Sequence, residues 1–232
     1  MLQNQLSLKC RFDLILHFLN TNIKYVKLFF VVFYVGGFLG ILLPISHSLF
    51  TKLIPYALLL SFITTLFYQS ASVNRKMGLI LGSIFLSGFC IEVIGVNTGL
   101  IFGFYHYGEG LGVKFFNTPV IIGLNWAFLV YFTFSLCNQL KRSGLLSILL
   151  PSLLMLGYDL ILEQSAPMMD MWYWKGDRIP LQNYFAWFCV AVLFQILMKY
   201  ARLEISNKFS GFIFSCQFIF FALLYLTKGL IL

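Results

Sequence analysis

Residues 77–96 read Met-Gly-Leu-Ile-Leu-Gly-Ser-Ile-Phe-Leu-Ser-Gly-Phe-Cys-Ile-Glu-Val-Ile-Gly-Val, an apolar run with a single charged side chain, Glu92. A helix needs about 20 residues to cross a hydrocarbon core of roughly 30 Å, so this run reads as a transmembrane helix. The rest of the chain has the same character. Of its 232 residues, 60% are hydrophobic and 10% charged, against roughly 45–50% and 25% in soluble domains. A soluble fold is excluded, and the apolar content leaves room for about six to eight crossings. The 18 Gly and 6 Pro follow no period, which excludes collagen-like classes. Cys10, Cys90, Cys137, Cys189 and Cys216 form no Cys-x-x-Cys pair and read as small buried hydrophobes.

Outward from 77–96, further apolar runs predict crossings at about 26–43, 53–69, 119–138, 145–163, 184–199 and 210–227, which makes seven. The expected fold is all-α, a polytopic transmembrane helical bundle over residues 26–232 with its functional core at 88–190. Residues 1–25 carry Lys9, Arg11, Asp13 and Asn20 among Leu, Ile and Phe, too polar to span, and read as an interfacial segment. The net charge of +8 is spread over short loops, which argues for topology determinants and against a nucleic-acid partner. With seven crossings, Lys9, Arg11, Lys24, Lys27, Arg75, Lys76, Lys141, Arg142, Lys199, Arg202 and Lys208 fall on one face, eleven in all. Lys52, Lys114, Lys175, Arg178 and Lys228, five in all, fall on the other. The positive-inside rule then predicts a cytoplasmic N-terminus in a cell membrane.

Polar residues gather on the second face. A charge in the membrane costs about 2.5–3.5 kcal/mol on insertion scales, so an intramembrane carboxylate is a functional candidate by default. Glu92 lies in Gly88-x-x-x-Glu92-x-x-Gly95-x-x-x-Gly99, one helical face whose glycines let a neighbouring helix approach. It is either a functional group or a structural carboxylate bonded to that neighbour. Residues 97–109, with Tyr105, His106 and Tyr107 among three glycines, predict an ordered or re-entrant aromatic loop. Asp159 and Glu163 are four apart and share a helical face. Two carboxylates this close repel when both are ionised, which favours a proton on one of them. Trp172, Trp174 and Trp187 then fall within sixteen positions, either as an interfacial belt or as the wall of a pocket for an apolar ligand or a cation.

These residues resemble the carotenoid biosynthesis proteins, the family that includes the CruF-type carotenoid hydratases. The resemblance is carried by Glu92-x-x-Gly95-x-x-Thr98-Gly99-x-x-Phe102-Gly103-x-Tyr105-x-Tyr107, by Leu111-Gly112 with Pro119, Asn125 and Trp126, and by Tyr158-Asp159-x-x-x-x-Glu163. It continues through Trp172-x-Trp174, Ile179-Pro180-x-x-Asn183 and Trp187-Phe188. Gln164 departs from the family pattern, where proline is expected after the acidic residue. The resemblance implies addition of water to the terminal double bond of an acyclic carotenoid end. On that reading Asp159 or Glu163 is the acid, and Glu92 or the other partner positions water. Trp172, Trp174, Tyr105, Tyr107 and Trp126 would bind the substrate end and its cation, with Asn125 and Asn183 holding water or a carboxylate. The reaction is redox-neutral, so no haem, flavin or nicotinamide is implied, and no metal is expected. The partners implied are a lipophilic carotenoid, water, the lipid bilayer of a bacterial inner membrane, and other enzymes of the carotenoid pathway.

Three other readings compete. A membrane lycopene-type cyclase would use the same cation, but its Pro-x-Glu signature is missing after all six prolines. A retinal-binding protein would need a lysine at membrane depth, and Lys208 and Lys228 lie only at the edges of the seventh crossing. A transporter would string its carboxylates along a path, whereas these cluster on one side.

Overall fold

The computed structural model describes residues 21–69, 74–139 and 144–231. The interfacial segment expected at 1–25 falls almost wholly outside these residues, as do Cys10, Lys9, Arg11, Lys141 and Arg142. Seven helices among the described residues are long and apolar enough to cross a membrane. In chain order they are α1 (Ile23–Leu42), α2 (His47–Phe67), α3 (Arg75–Thr98), α4 (Ile121–Gln139), α5 (Leu146–Ser165), α6 (Leu181–Tyr200) and α7 (Ser210–Ile231). The protein is an all-α polytopic bundle. Four short strands cross-link the loops at one end: β1 (Tyr105–Tyr107), β2 (Lys114–Phe115), β3 (Thr118–Pro119) and β4 (Trp172–Trp174).

The largest difference from the expected boundaries is in α2, which begins at His47 rather than near residue 53. Its first turns carry His47, Ser48, Thr51 and Lys52, polar enough to hide from a hydropathy reading but at home where a helix leaves the membrane. Local bonds secure them: the Thr51 hydroxyl donates to the His47 carbonyl (2.9 Å), and the His47 ring nitrogen lies 2.7 Å from the Ile41 carbonyl. The least apolar part of α2 turns inward. Tyr34 and Ser61 share a hydrogen bond of 2.9 Å, and Asn207 donates to the Thr65 carbonyl at 2.7 Å.

Helix α4 is the axis of the bundle. Fourteen of its 19 residues are buried, because α2, α3, α5, α6 and α7 all pack against it. The outer helices instead present large apolar side chains outward, among them Leu28, Leu79, Leu153 and Leu193. Lipid tails are as apolar as leucine, so helix association here depends on close van der Waals contact. Glycines supply it at the α3–α4 crossing. A Cβ on Gly88 would come within 2.8 Å of Trp126, and one on Gly123 within 2.7 Å of the Phe85 carbonyl oxygen. Gly123→Ala is therefore expected to cost about 1–3 kcal/mol, read as a lower thermal transition in detergent. An unchanged transition would show that the helices can separate freely.

Gly99 belongs to a different task from Gly88 and Gly95. At φ 68° it ends α3, donating to the Gly95 carbonyl at 2.8 Å, so it is a helix cap, and Gly95 makes room for the Phe102 ring, which leaves Gly88 as the glycine of this stripe against a neighbouring helix. The aromatic segment that follows is not simply a loop. β1 pairs antiparallel with β4, placing Tyr105 opposite Trp174, His106 opposite Tyr173 and Tyr107 opposite Trp172. Alternate residues of a strand face opposite sides. Tyr107, Trp172 and Trp174 are buried, while exposed His106 stacks on Tyr173 with ring centroids 5.4 Å apart. The departure at Gln164 leaves the helix intact: α5 continues to Ser165, and the turn comes with Pro167 in the short 3-10 segment Ala166–Met169. Of the cysteines, Cys137 is buried but Cys90 is exposed on α3, where an apolar thiol can face lipid as readily as a core.

Candidate active site

The ends of α3 and α5, the start of α6 and the β1–β4 ribbon meet at one end of the bundle, and two glutamates lie there. Glu92 is buried on α3. Its Oε2 accepts hydrogen bonds from the hydroxyls of Tyr105 (2.6 Å) and Tyr107 (2.7 Å), and its Oε1 accepts from Trp126 Nε1 (3.0 Å). Glu163 is buried in the last turn of α5, where the helix dipole disfavours a negative charge. Its Oε2 accepts from the indole nitrogens of Trp172 (2.9 Å) and Trp174 (2.7 Å), and its Oε1 from the Asn183 amide (3.0 Å). Three donors on each carboxyl group replace the hydration that burial removes.

The ribbon determines which donors arrive where. Its period of two sends Tyr105 and Tyr107 to Glu92 from one strand, and Trp172 and Trp174 to Glu163 from the other. Burial first, and the neighbouring Glu92 second, hold both tyrosine hydroxyls above the ordinary tyrosine pKa, so they remain protonated donors. Asp170 holds the ribbon in place. It sits at φ 50°, accepts from the Glu109 backbone N–H at 2.9 Å through one oxygen and from the Tyr173 hydroxyl at 3.0 Å through the other. Gly108 must lack a side chain here, because a Cβ would run into Asp170. Gln182 ties α6 to the end of α3 by donating to the Leu100 carbonyl at 2.6 Å. The Lys114–Glu109 ion pair, 2.8 Å long with Glu109 exposed, adds little.

Glu92 and Glu163 face the same cavity. Its walls are Phe102, Tyr105, Tyr107, Ile122, Trp172, Trp174, Asn183 and Trp187, and its free space of about 20 Å³ admits the centre of one water molecule. Asp159 is fully buried one helical turn below Glu163. Its Oδ2 is 3.4 Å from the same Asn183 amide nitrogen that bonds Glu163, and its Oδ1 has no hydrogen-bond partner among the described residues.

The structure therefore brings Glu92, Glu163, Tyr105, Tyr107, Trp172, Trp174 and Asn183 together around one space. Two residues expected there take other positions. Trp126 does not line the cavity: it braces Glu92 from behind and stacks on Trp187 with centroids 4.0 Å apart. Asn125 lines a neighbouring cavity with Tyr158 and Leu162, because one residue along a helix turns a side chain by roughly 100°. Trp187, one of the three clustered tryptophans, lines the site with Trp172 and Trp174, and Phe102 and Ile122 line it without having been singled out for it. The four-residue spacing of Asn183 and Trp187 places both on one face of α6 and was the available signal; Phe102 and Ile122 carried none beyond their apolarity.

No solved structure matches this chain. One curated relative, a protein named bisanhydrobacterioruberin hydratase from Haloarcula japonica, is 32% identical over 126 residues, which cover 50% of this chain and 42% of that protein. The chain thus spans less than half the length of that relative. The family model described as carotenoid biosynthesis protein matches residues 53–231, from α2 to the last helix and across every residue of the site. By that match and by the carboxylates, ribbon and tryptophans it spans, the chain belongs to the carotenoid biosynthesis protein family.

Proposed function

We propose that the protein hydrates the terminal carbon–carbon double bond of an acyclic carotenoid end to a tertiary alcohol. The observation that carries this reading is that two glutamates face one water-sized cavity across a wall of tyrosines and tryptophans. An unactivated alkene needs a well-placed acid and an environment that tolerates a carbocation, and these residue types supply both. The hydratase named among its relatives supports the same chemistry.

In this proposal Asp159 and Glu163, one turn apart and bridged by Asn183, hold one proton between them. Glu163, which reaches the cavity, delivers it to the less substituted alkene carbon. The π electron pair becomes the new C–H bond and leaves a tertiary cation on the adjacent carbon. The faces of Tyr105, Tyr107, Trp172 and Trp174 stabilise that cation by about 0.5–2 kcal/mol each. Glu92 orients a water molecule, whose oxygen lone pair forms the C–O bond, and accepts the surplus proton. Return of that proton to the Asp159–Glu163 pair completes the cycle, and the net change is one added water. The protein works in the bilayer of a bacterial inner membrane with its N-terminus in the cytoplasm, and other enzymes of the carotenoid pathway supply its substrate.

The test is expression in a bacterium that accumulates an acyclic carotenoid, followed by pigment mass. A more polar pigment heavier by one water, strongly reduced in Asp159→Asn, is the expected result. An isomer of unchanged mass would replace the hydratase with a cyclase. Unchanged pigment from folded protein would favour the transport reading.

A further inference from the structure

We infer that the polyene chain of the substrate lies in an apolar chamber between α1, α2 and α7 and enters the site from there. This rests on the hydratase reading and adds where the long part of the molecule goes. The chamber has about 310 Å³ of free space, with Gly36 and Gly37 of α1, Leu53 and Ala57 of α2 and Phe220 of α7 among its walls. Among the described residues, no charged side chain lines it. Its two polar residues are engaged elsewhere: Tyr34 bonds Ser61 at 2.9 Å, and Gln217 accepts from the Tyr158 hydroxyl at 3.3 Å.

The chamber is joined to the reaction site by shared walls. Ile54, Leu58, Met171 and Phe221 also line a small cavity of about 30 Å³. That cavity in turn shares Ile122 and Trp172 with the space between Glu92 and Glu163. The three spaces therefore form a series that ends at the carboxylates. An extended apolar molecule occupying the series from the chamber inward would present its end to Glu163, which is the geometry an end-group reaction requires. Met171, unbranched and flexible, stands at the first junction, where a side chain must yield to admit a chain. A phospholipid acyl chain shares the apolar chemistry but has no terminal alkene to bring to a carboxylate. A second space, about 490 Å³ on the flank of α2, α3 and α4, also touches the small cavity through Leu111 and Ile121, but Lys52 and Glu109 stand among its walls. Charged walls suit a polyene poorly.

Gly36 makes the inference testable, because a Cβ there would meet nothing within 4 Å and a larger side chain enters free space. The wild type and the series Gly36→Ala, Gly36→Leu and Gly36→Phe are purified in detergent from membranes accumulating an acyclic carotenoid. Bound pigment, bound phospholipid, hydrated pigment and the thermal transition are measured. Bound and hydrated pigment should fall progressively with side-chain size, on the order of tenfold for Gly36→Phe, at an unchanged thermal transition. Leu59→Trp, which fills the other flank, should retain both within about twofold. Equal pigment in Gly36→Phe and wild type, loss in Leu59→Trp instead, or a loss of phospholipid without pigment would overturn the chamber. If the wild type binds pigment in this size-dependent way but forms no hydrated product, the chamber stands and the hydratase reading fails alone.

Discussion

Under the proposed mechanism, Glu163→Gln is expected to lower the rate of hydration by about 10²–10⁴-fold, the range of a lost general acid, and to leave the fold intact. The fold survives because glutamine can reproduce the bonding. Its side-chain oxygen accepts the two indole N–H groups that Oε2 now accepts, and its amide faces Asn183, whose own amide can turn to present oxygen. What glutamine cannot do is release a proton to an alkene. The variant should bind carotenoid as the wild type does, with the loss confined to turnover. Pigment conversion per mole of folded protein checks the first expectation, and the thermal transition checks the second. Conversion within a few-fold of wild type would remove Glu163 as the donor and leave Asp159 as the only carboxyl group of the pair able to serve.

The second large effect is expected at Glu92, and it is electrostatic. In the proposed mechanism, Glu92→Gln removes the negative charge that faces the developing cation across the cavity, and with it the acceptor for the proton of the incoming water. Loss of a preorganised stabilising group of this kind costs about 10²–10³-fold in turnover. The local bonds again survive, since the glutamine oxygen can accept from Trp126 while the Tyr105 and Tyr107 hydroxyls rotate to accept from its amide. A further signature separates a positioning failure from a structural one. If water is no longer oriented, the cation loses a proton instead, and double-bond isomers should appear beside the alcohol. Glu92→Gln with wild-type turnover and a single product would reduce Glu92 to a buried structural carboxylate, the alternative that its glycine-flanked helix also allows.

Helix existence in this protein is a local property, which is why it was legible without the fold. In lipid each crossing must satisfy its own backbone groups, so twenty apolar residues in a row already imply the helix they form. The same holds for Asp159 and Glu163, which helical geometry alone puts on one face. The start of α2 was less legible because polar residues at a membrane boundary carry no hydropathy signal. The β1–β4 ribbon was not legible either: Tyr105-His106-Tyr107 and Trp172-Tyr173-Trp174 alternate with period two, but each strand is only three residues long and its partner lies 65 or more residues away.

A seven-helix membrane protein, the carboxylates Glu92, Asp159 and Glu163 at membrane depth, and the end of the bundle at which the aromatic residues gather all follow from the order of residues along the chain. Which donor meets which acid follows instead from how the helices and the ribbon pack. Tyr105, Tyr107 and Trp126 converge on Glu92, while Trp172, Trp174 and Asn183 converge on Glu163. That packing also moved Trp126 from the cavity wall to a brace behind Glu92, put Asn125 on a neighbouring cavity, and linked a chamber beside α1 to the site. Hydropathy and helical period are summed over neighbours in the chain and say nothing of contacts between distant segments. A hydrogen bond between Trp126 and Glu92, 34 residues apart, depends on two glycines that bring α3 and α4 into contact and on the rotation of each helix about its axis.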